Sequence, residues 1–295
     1  MLALLPKPVP ALLGLFLLGA PLATAQPSRI VAAGGVLTET VHALGEGARL
    51  VGIDSTSLHP ADALQRLPSI GYVRALSAEG ILSLKPDLVL AIEGAGPPDV
   101  MALIRQAGIP VRILSEEPSE AGVLARIRAV GEIVGQPEKA EALARQIAGD
   151  FGRLERDRAQ ITQRKRVLFV LSLQNGRVMV AGRNSSAAAM IALAGGINAV
   201  ETLEGFKPLS DEGIIAAAPD VIVMMQRGDH AVAAADLFAH PAFRLTPAAS
   251  GQHLVTMDGL LLLGFGPRTA VAARELMGRL YSPSFRPRAE AGPRP

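Results

Sequence analysis

One stretch of this chain occurs twice. Ser77-Ala78-Glu79-Gly80-Ile81-Leu82-Ser83-Leu84-Lys85-Pro86-Asp87-Leu88-Val89-Leu90 returns 133 positions later as Ser210-Asp211-Glu212-Gly213-Ile214-Ile215-Ala216-Ala217-Ala218-Pro219-Asp220-Val221-Ile222-Val223. Each copy carries a serine suited to cap a helix, a glutamate in the first turn, a Pro-Asp break and an apolar run with the character of a buried strand. A supersecondary unit reused at this separation implies two similar lobes. Within 295 residues each lobe is long enough to bury its own core. The expected fold class is therefore α/β, with two pseudo-symmetric lobes and mostly parallel sheets. A cleft between two lobes suits a protein that captures a small molecule.

The rest of the chain fits around that repeat. Residues 1–25 combine an early lysine, an apolar run from Ala11 to Leu18 and Ala23-Thr24-Ala25, which reads as a secretory signal with an A-x-A cleavage site. The run is shorter than the roughly 20 residues a spanning helix needs. An exported protein follows, periplasmic in a diderm bacterium. Residues 26–135 form the expected N-terminal lobe, with strands at Arg29, Leu50–Ile53, Leu88–Ile92 and Val111–Leu114, and a loop with one short helix from Asp54 to Arg74. Residues 136–163 follow the break at Gly135-Gln136-Pro137 and read as a continuous helix joining the lobes, with pairs such as Glu155 and Arg158 at i, i+3. A helical joint argues against large lobe closure. Residues 164–282 form the C-terminal lobe, opening on a hairpin about Asn175-Gly176. Residues 283–295 read as a disordered tail.

Composition removes several function classes. The net charge is +2, from 29 basic and 27 acidic residues, with no basic run interleaved with aromatics, so nucleic acid is not an expected partner. There is no cysteine, which excludes disulfides, thiolate metal sites and thiol catalysis. Ser77 and Ser210 lack an Asp-His pair, so a hydrolase reading fails. Gly264-Phe265-Gly266-Pro267-Arg268 lacks the spacing of a nucleotide loop. That segment instead suits close approach of backbone to a ligand, with Leu260–Leu263 and Phe265 as an apolar wall. Met224, Met225 and Met257 read as core.

The chain has two tyrosines and no tryptophan. Tyr72 stands in Gly71-Tyr72-Val73-Arg74-Ala75-Leu76, just before the first repeat copy; the matching position in the second copy is Phe206, with one residue fewer between it and the serine. One lobe thus offers a phenol where the other offers a bare ring. A phenolate oxygen is a hard anionic ligand suited to Fe(III), and tyrosine serves as an axial haem ligand. Packing at a loop end is the competing reading of Tyr72. Arg74 would place a positive charge near that oxygen or pair with a ligand carboxylate. Among the histidines, His59 lies in the candidate ligand-facing loop, His42 falls in an apolar helix, and His230, His240 and His253 show no ligand spacing.

The segments GYVRALSAEGILSLKPDLVL, VMVAGRNSSAAAMIALAGG and MDGLLLLGFGPRT resemble the periplasmic haem-binding proteins of bacterial haem-uptake ABC transporters, within the class III periplasmic binding proteins. The likeness covers roughly Arg29 to Tyr281. The resemblance implies that Tyr72 is the axial ligand of ferric haem, that Arg74 supports it, and that Arg227 meets the haem propionates. It also implies that Glu79 and Glu212, one per lobe, dock into arginine pockets of the membrane permease; helix-dipole stabilisation is the bland role for the same charges. Some relatives bind a second haem through a histidine where this chain has Asn184-Ser185, which puts a stacked two-haem mode in doubt. The implied partners are haem, the permease with its ATPase, and an outer-membrane haem receptor upstream, with the protein a monomer and not an enzyme. A cobalamin or ferric-siderophore carrier is the alternative within binding proteins, and a tetrapyrrole-acting enzyme the alternative outside them; against the latter the sequence offers no clustered acid–base pair.

Overall fold

The computed structural model describes residues 26–174, 176–226 and 233–281. The first lobe runs β1 (Ile30–Ala33), α1 (Gly35–Ala43), β2 (Leu50–Ile53), α2 (Ala63–Arg66), β3 (Gly71–Tyr72), β4 (Ala75–Leu76), α3 (Ala78–Ser83), β5 (Leu88–Ile92), α4 (Pro98–Gln106) and β6 (Val111–Leu114). Two long helices follow, α5 (Glu120–Val134) and α6 (Pro137–Arg158). The second lobe opens with β7 (Arg166–Gln174), β8 (Arg177–Ala181), α7 (Ser186–Leu193), β9 (Ile197–Asn198), β10 (Phe206–Leu209), α8 (Asp211–Ala217) and β11 (Val221–Gln226). It closes with α9 (Ala234–Ala239), α10 (Pro241–Arg244), α11 (Pro247–Ser250), β12 (Leu254–Asp258), α12 (Gly259–Leu263) and α13 (Thr269–Tyr281).

The first sheet has order β2-β1-β5-β6 and is parallel throughout. The second has order β10-β8-β7-β11-β12, with β9 added on β7; β7, β11 and β12 are parallel, while β8 runs against both β7 and β10. Strands such as Leu88–Ile92 are buried along their whole length, as parallel sheets covered by helices require.

The repeat is repeated in its contacts. The Ser77 hydroxyl accepts from Gly80 N–H at 3.0 Å and the Ser210 hydroxyl from Gly213 N–H at 3.2 Å, each cap worth about 1 kcal/mol. Both helices stop before the proline: α3 ends at Ser83 and α8 at Ala217. The residue just before proline then turns left-handed, Lys85 at φ 48 and Ala218 at φ 42, a conformation that strains an L residue. An arginine leading into the first strand of each lobe holds that turn. Arg29 donates to the carbonyls of Leu84 and Lys85, and Arg166 to that of Ala217. The aspartates return the bond: Asp87 accepts from Arg29 N–H and Asp220 from Arg166 N–H.

One apolar cluster spans both lobes, and each lobe has a further cluster of its own. A continuous apolar cluster runs from Leu37 and Leu90 through Ile127, Ile147 and Phe151 to Phe169 and Leu276. Gly135, left-handed at φ 72, ends α5, and Pro137 starts α6, the expected punctuation for a stop and restart. Polar bonds reinforce the joint. The guanidinium of Arg126, only 4% exposed on α5, donates to Ser115 carbonyl in the first lobe and at 2.6 Å to Phe265 carbonyl in the second. Arg268 grips the buried Glu39 carboxylate with two bonds, at 2.8 and 2.9 Å. Among the described residues no helix is long and apolar enough to cross a membrane.

Candidate ligand-binding site

Ligands of open parallel sheets collect beyond the carboxyl ends of the strands, and there the two lobes meet. The exits of β1 and β2 are tied by Asp54, whose buried carboxylate accepts from Gly34 N–H at 2.8 Å and from Thr56 N–H at 2.9 Å. The chain beyond leads into a short arm. Strands β3 and β4 pair antiparallel, Gly71 with Leu76 and Tyr72 with Ala75. The arm is strapped on both sides. Ser55 N–H donates to Gly71 carbonyl at 2.9 Å on one flank; on the other, Gly96 N–H donates to Val73 carbonyl and Leu76 N–H to Gly96 carbonyl. Gly71 has φ 97, and a Cβ there would stand 2.7 Å from Ala75 carbonyl oxygen. Only glycine admits this turn, so the Gly-Tyr pair is a structural unit.

Tyr72 projects from that arm. It is 50% exposed, and among the described residues its hydroxyl has no hydrogen-bond partner. Arg74 makes its contacts elsewhere. The guanidinium lies across the end of β5, with Nη1 donating to Gly94 carbonyl at 3.3 Å and Nη2 3.5 Å from the Glu116 carboxylate. Burial pushes the Glu116 carboxyl above its ordinary range; Arg74 and Arg126 work against that rise, and Glu93 adds to it.

The other sequence candidates separate. His59, half-buried and joined to Pro60 by a cis bond, sits at the joint between the lobes. Burial first, then the Arg268 charge, lowers its pKa, while Glu39 and Asp258 pull the other way. Phe265 requires correction. Its ring is 2% exposed and belongs to the shared core, so it offers no open face to a ligand; its carbonyl serves Arg126 instead. The neighbouring Leu260, Leu261 and Leu263 are only partly buried. Arg227 lies outside the described residues, as does His230. Phe206 opens β10, pairs with Ala181 and sets its half-buried ring 6.2 Å from Phe169 in an edge-to-face contact. Asn184, left-handed at φ 56, turns its side-chain amide to Glu204 at 3.3 Å.

Glu79 and Glu212 occupy equivalent first turns, both exposed. Each stands at the exposed start of the helix that precedes the buried Pro-Asp strand of its lobe. They are not identical. The Glu212 carboxyl is held below its ordinary range by its own backbone N–H and the Ser210 hydroxyl. Sequence reasoning passed over Glu116 and Arg126, since nothing in their local spacing marks either. A surface hollow of about 420 Å³ lined by His42, Gly47, Leu50 and Arg66 among others lies on α1 and β2, apart from Tyr72.

Two α/β lobes sharing an apolar cluster and joined by helices, with an exposed phenol on a tied arm of the first lobe, define a solute-binding protein of the helix-bridged class. The chain belongs to the periplasmic binding protein family, which residues 30–260 match. A periplasmic heme-binding protein from Roseiflexus sp. RS-1 is 41% identical, with a TM-score of 0.83 over 86% of this chain and 98% of that one. A second, BhuT in complex with two hemes, is also 41% identical, with a TM-score of 0.82 over 87% and 98%. The vitamin B12-binding protein of Vibrio cholerae is 27% identical over 207 residues, 70% of this chain and 72% of that one.

Proposed function

We propose that this protein captures ferric haem between its lobes and delivers it to an ABC importer. One observation carries the reading: Tyr72 is a half-exposed phenol without a partner, on an arm tied at both flanks, in a chain 41% identical to heme-binding proteins that it covers almost entirely. The phenolate is the axial iron ligand and Arg74 supports it. Arg227 on the second lobe meets the propionates, and His59 lines the cleft near the joint. Holding Fe(III) on an anionic oxygen makes capture tight, while protonation of that oxygen at the permease offers a route for release. The task is binding and transfer, not catalysis.

The signal is cleaved after Ala25, which places the mature protein in the periplasm as a monomer. Its working units are residues 26–135 and 164–282, about the bridge 136–163. Glu79 and Glu212 dock to the permease, one per lobe, and the permease with its ATPase takes the cargo. An outer-membrane haem receptor supplies it. Likeness to the Vibrio cholerae protein keeps cobalamin as the second reading.

Parallel titrations of the purified mature protein with haemin, cobalamin and a ferric siderophore test the choice. Haemin should give a saturable high-spin ferric spectrum, and the end point reads one haem or two. Saturation by cobalamin alone would overturn the proposal.

A further inference from the structure

The place of Arg74 is unexpected for a residue meant to support Tyr72. Its guanidinium is engaged in a small bay at the ends of β5 and β6. Gly94 forms one wall, at φ 73, and a Cβ there would lie 2.3 Å from Arg74 Nη1. The Gly94 carbonyl accepts from Nη1, and the Glu116 carboxylate faces Nη2 at 3.5 Å. The bay is built from behind. Glu93 holds the turn by accepting from Ser115 Oγ at 3.3 Å and Glu116 N–H at 3.2 Å. Arg126 on α5 fixes the Ser115 carbonyl and, through Phe265, the other lobe.

We propose that Glu116 is a positioning residue that parks Arg74 in the empty protein and releases it when an anionic ligand enters. This rests on the haem reading above. Half of the logic is electrostatic. Parked, the guanidinium is engaged by Gly94 carbonyl and Glu116; freed, it stands two residues from Tyr72 on the same arm, where it can pair with a carboxylate of the ligand. The other half is energetic. The guanidinium is exposed and the carboxylate half-buried, and ion pairs at a surface are worth little, so an incoming carboxylate competes for the guanidinium at small cost. Parking therefore sets a modest threshold on affinity without blocking entry.

The test is a double-mutant cycle on the mature protein, read by haemin affinity. Glu116→Gln should tighten haemin binding about two- to fivefold, the amount a surface pair withholds. In an Arg74→Ala background the same change should do nothing, because there is no guanidinium to release. Tightening that persists in that background would mean that Glu116 merely repels the ligand, and would overturn the proposal, as would unchanged or weaker binding. A second measurement needs no haem. The Arg74 Nε–Hε resonance of the ligand-free protein, assigned by its loss in Arg74→Ala, should shift in Glu116→Gln; an unmoved resonance refutes the pairing. Wild-type protein that binds no haemin refutes the haem reading and the role of Glu116 together. Wild type that binds it while the cycle fails refutes Glu116 alone.

Discussion

The arm at Tyr72 and the strand at Phe206 begin alike and end differently. Each follows a left-handed glycine, Gly71 at φ 97 and Gly205 at φ 66, and each leads to a serine cap and an equivalent helix. In the second lobe the chain joins the sheet as β10, and the aromatic ring, partly buried, packs against Phe169. In the first lobe one more residue precedes the serine. The chain folds on itself as β3 and β4, stays off the sheet, and leaves its aromatic ring half in solvent. A change of one residue reverses which face a side chain takes in extended chain, and here it separates an exposed ring from a packed one. The comparison teaches that the lobes share a frame but not a task.

Docking is where the lobes should still act as equals. Glu79→Ala with Glu212→Ala is expected to abolish haem uptake by cells while the haemin affinity of the purified protein stays unchanged; lost affinity would show that the two charges belong to the cleft. The joint that keeps the lobes in register is the next largest effect. Arg126→Met leaves two carbonyls without their charged donor and should cost about 2–3 kcal/mol in denaturant unfolding, with the transition broadening if the lobes uncouple. A cost near zero would mean the shared apolar cluster alone sets lobe position.

Giving the second lobe a phenol should not make it a ligand. Phe206→Tyr puts a hydroxyl on a partly buried ring packed against Phe169, which should destabilise by about 1–2 kcal/mol and add no second iron–phenolate band. Such a band would show that β10 can leave the sheet. The smallest contrast lies in the paired aspartates. Asp87 accepts three bonds, from Ser28 N–H, Ser28 Oγ and Arg29 N–H, whereas Asp220 accepts Arg166 N–H. Burial pushes the Asp87 carboxyl up, but those donors outweigh it and hold it below the ordinary carboxylate range. Its stabilisation is therefore present above the unfolded value of about 4 and fades as pH falls through the lower folded value. Asp87→Asn should cost about 1 kcal/mol at neutral pH, more than Asp220→Asn, and the gap from wild type should close in acid.

The repeat made the frame legible, because caps, the Pro-Asp break and buried strands are local signals, and each reappears in the structure with its bonds. Tyr72 drew notice by rarity and by a mismatch between the copies, and the structure leaves it exposed. The arm that carries it was not legible, since two-residue strands leave no periodicity and Asp54 to Arg74 reads as loop. Phe265 misled because an apolar residue between glycines looks the same whether it faces a ligand or the core. Glu116 and Arg126 were silent because their roles depend on residues far along the chain, Arg74 in one case and Phe265 in the other. No window of sequence holds such a pair.

The central claim is that iron is held from one lobe, by one oxygen. The most direct measurement is an absorption titration of haemin into wild-type protein and into Tyr72→Phe, which keeps the ring and removes only that oxygen. Wild type should show a high-spin ferric spectrum with its phenolate band, and the variant should lose the band and bind at least about a hundredfold more weakly, since even indirect partners of a metal site cost up to that much. An unchanged spectrum and affinity in Tyr72→Phe would contradict the account.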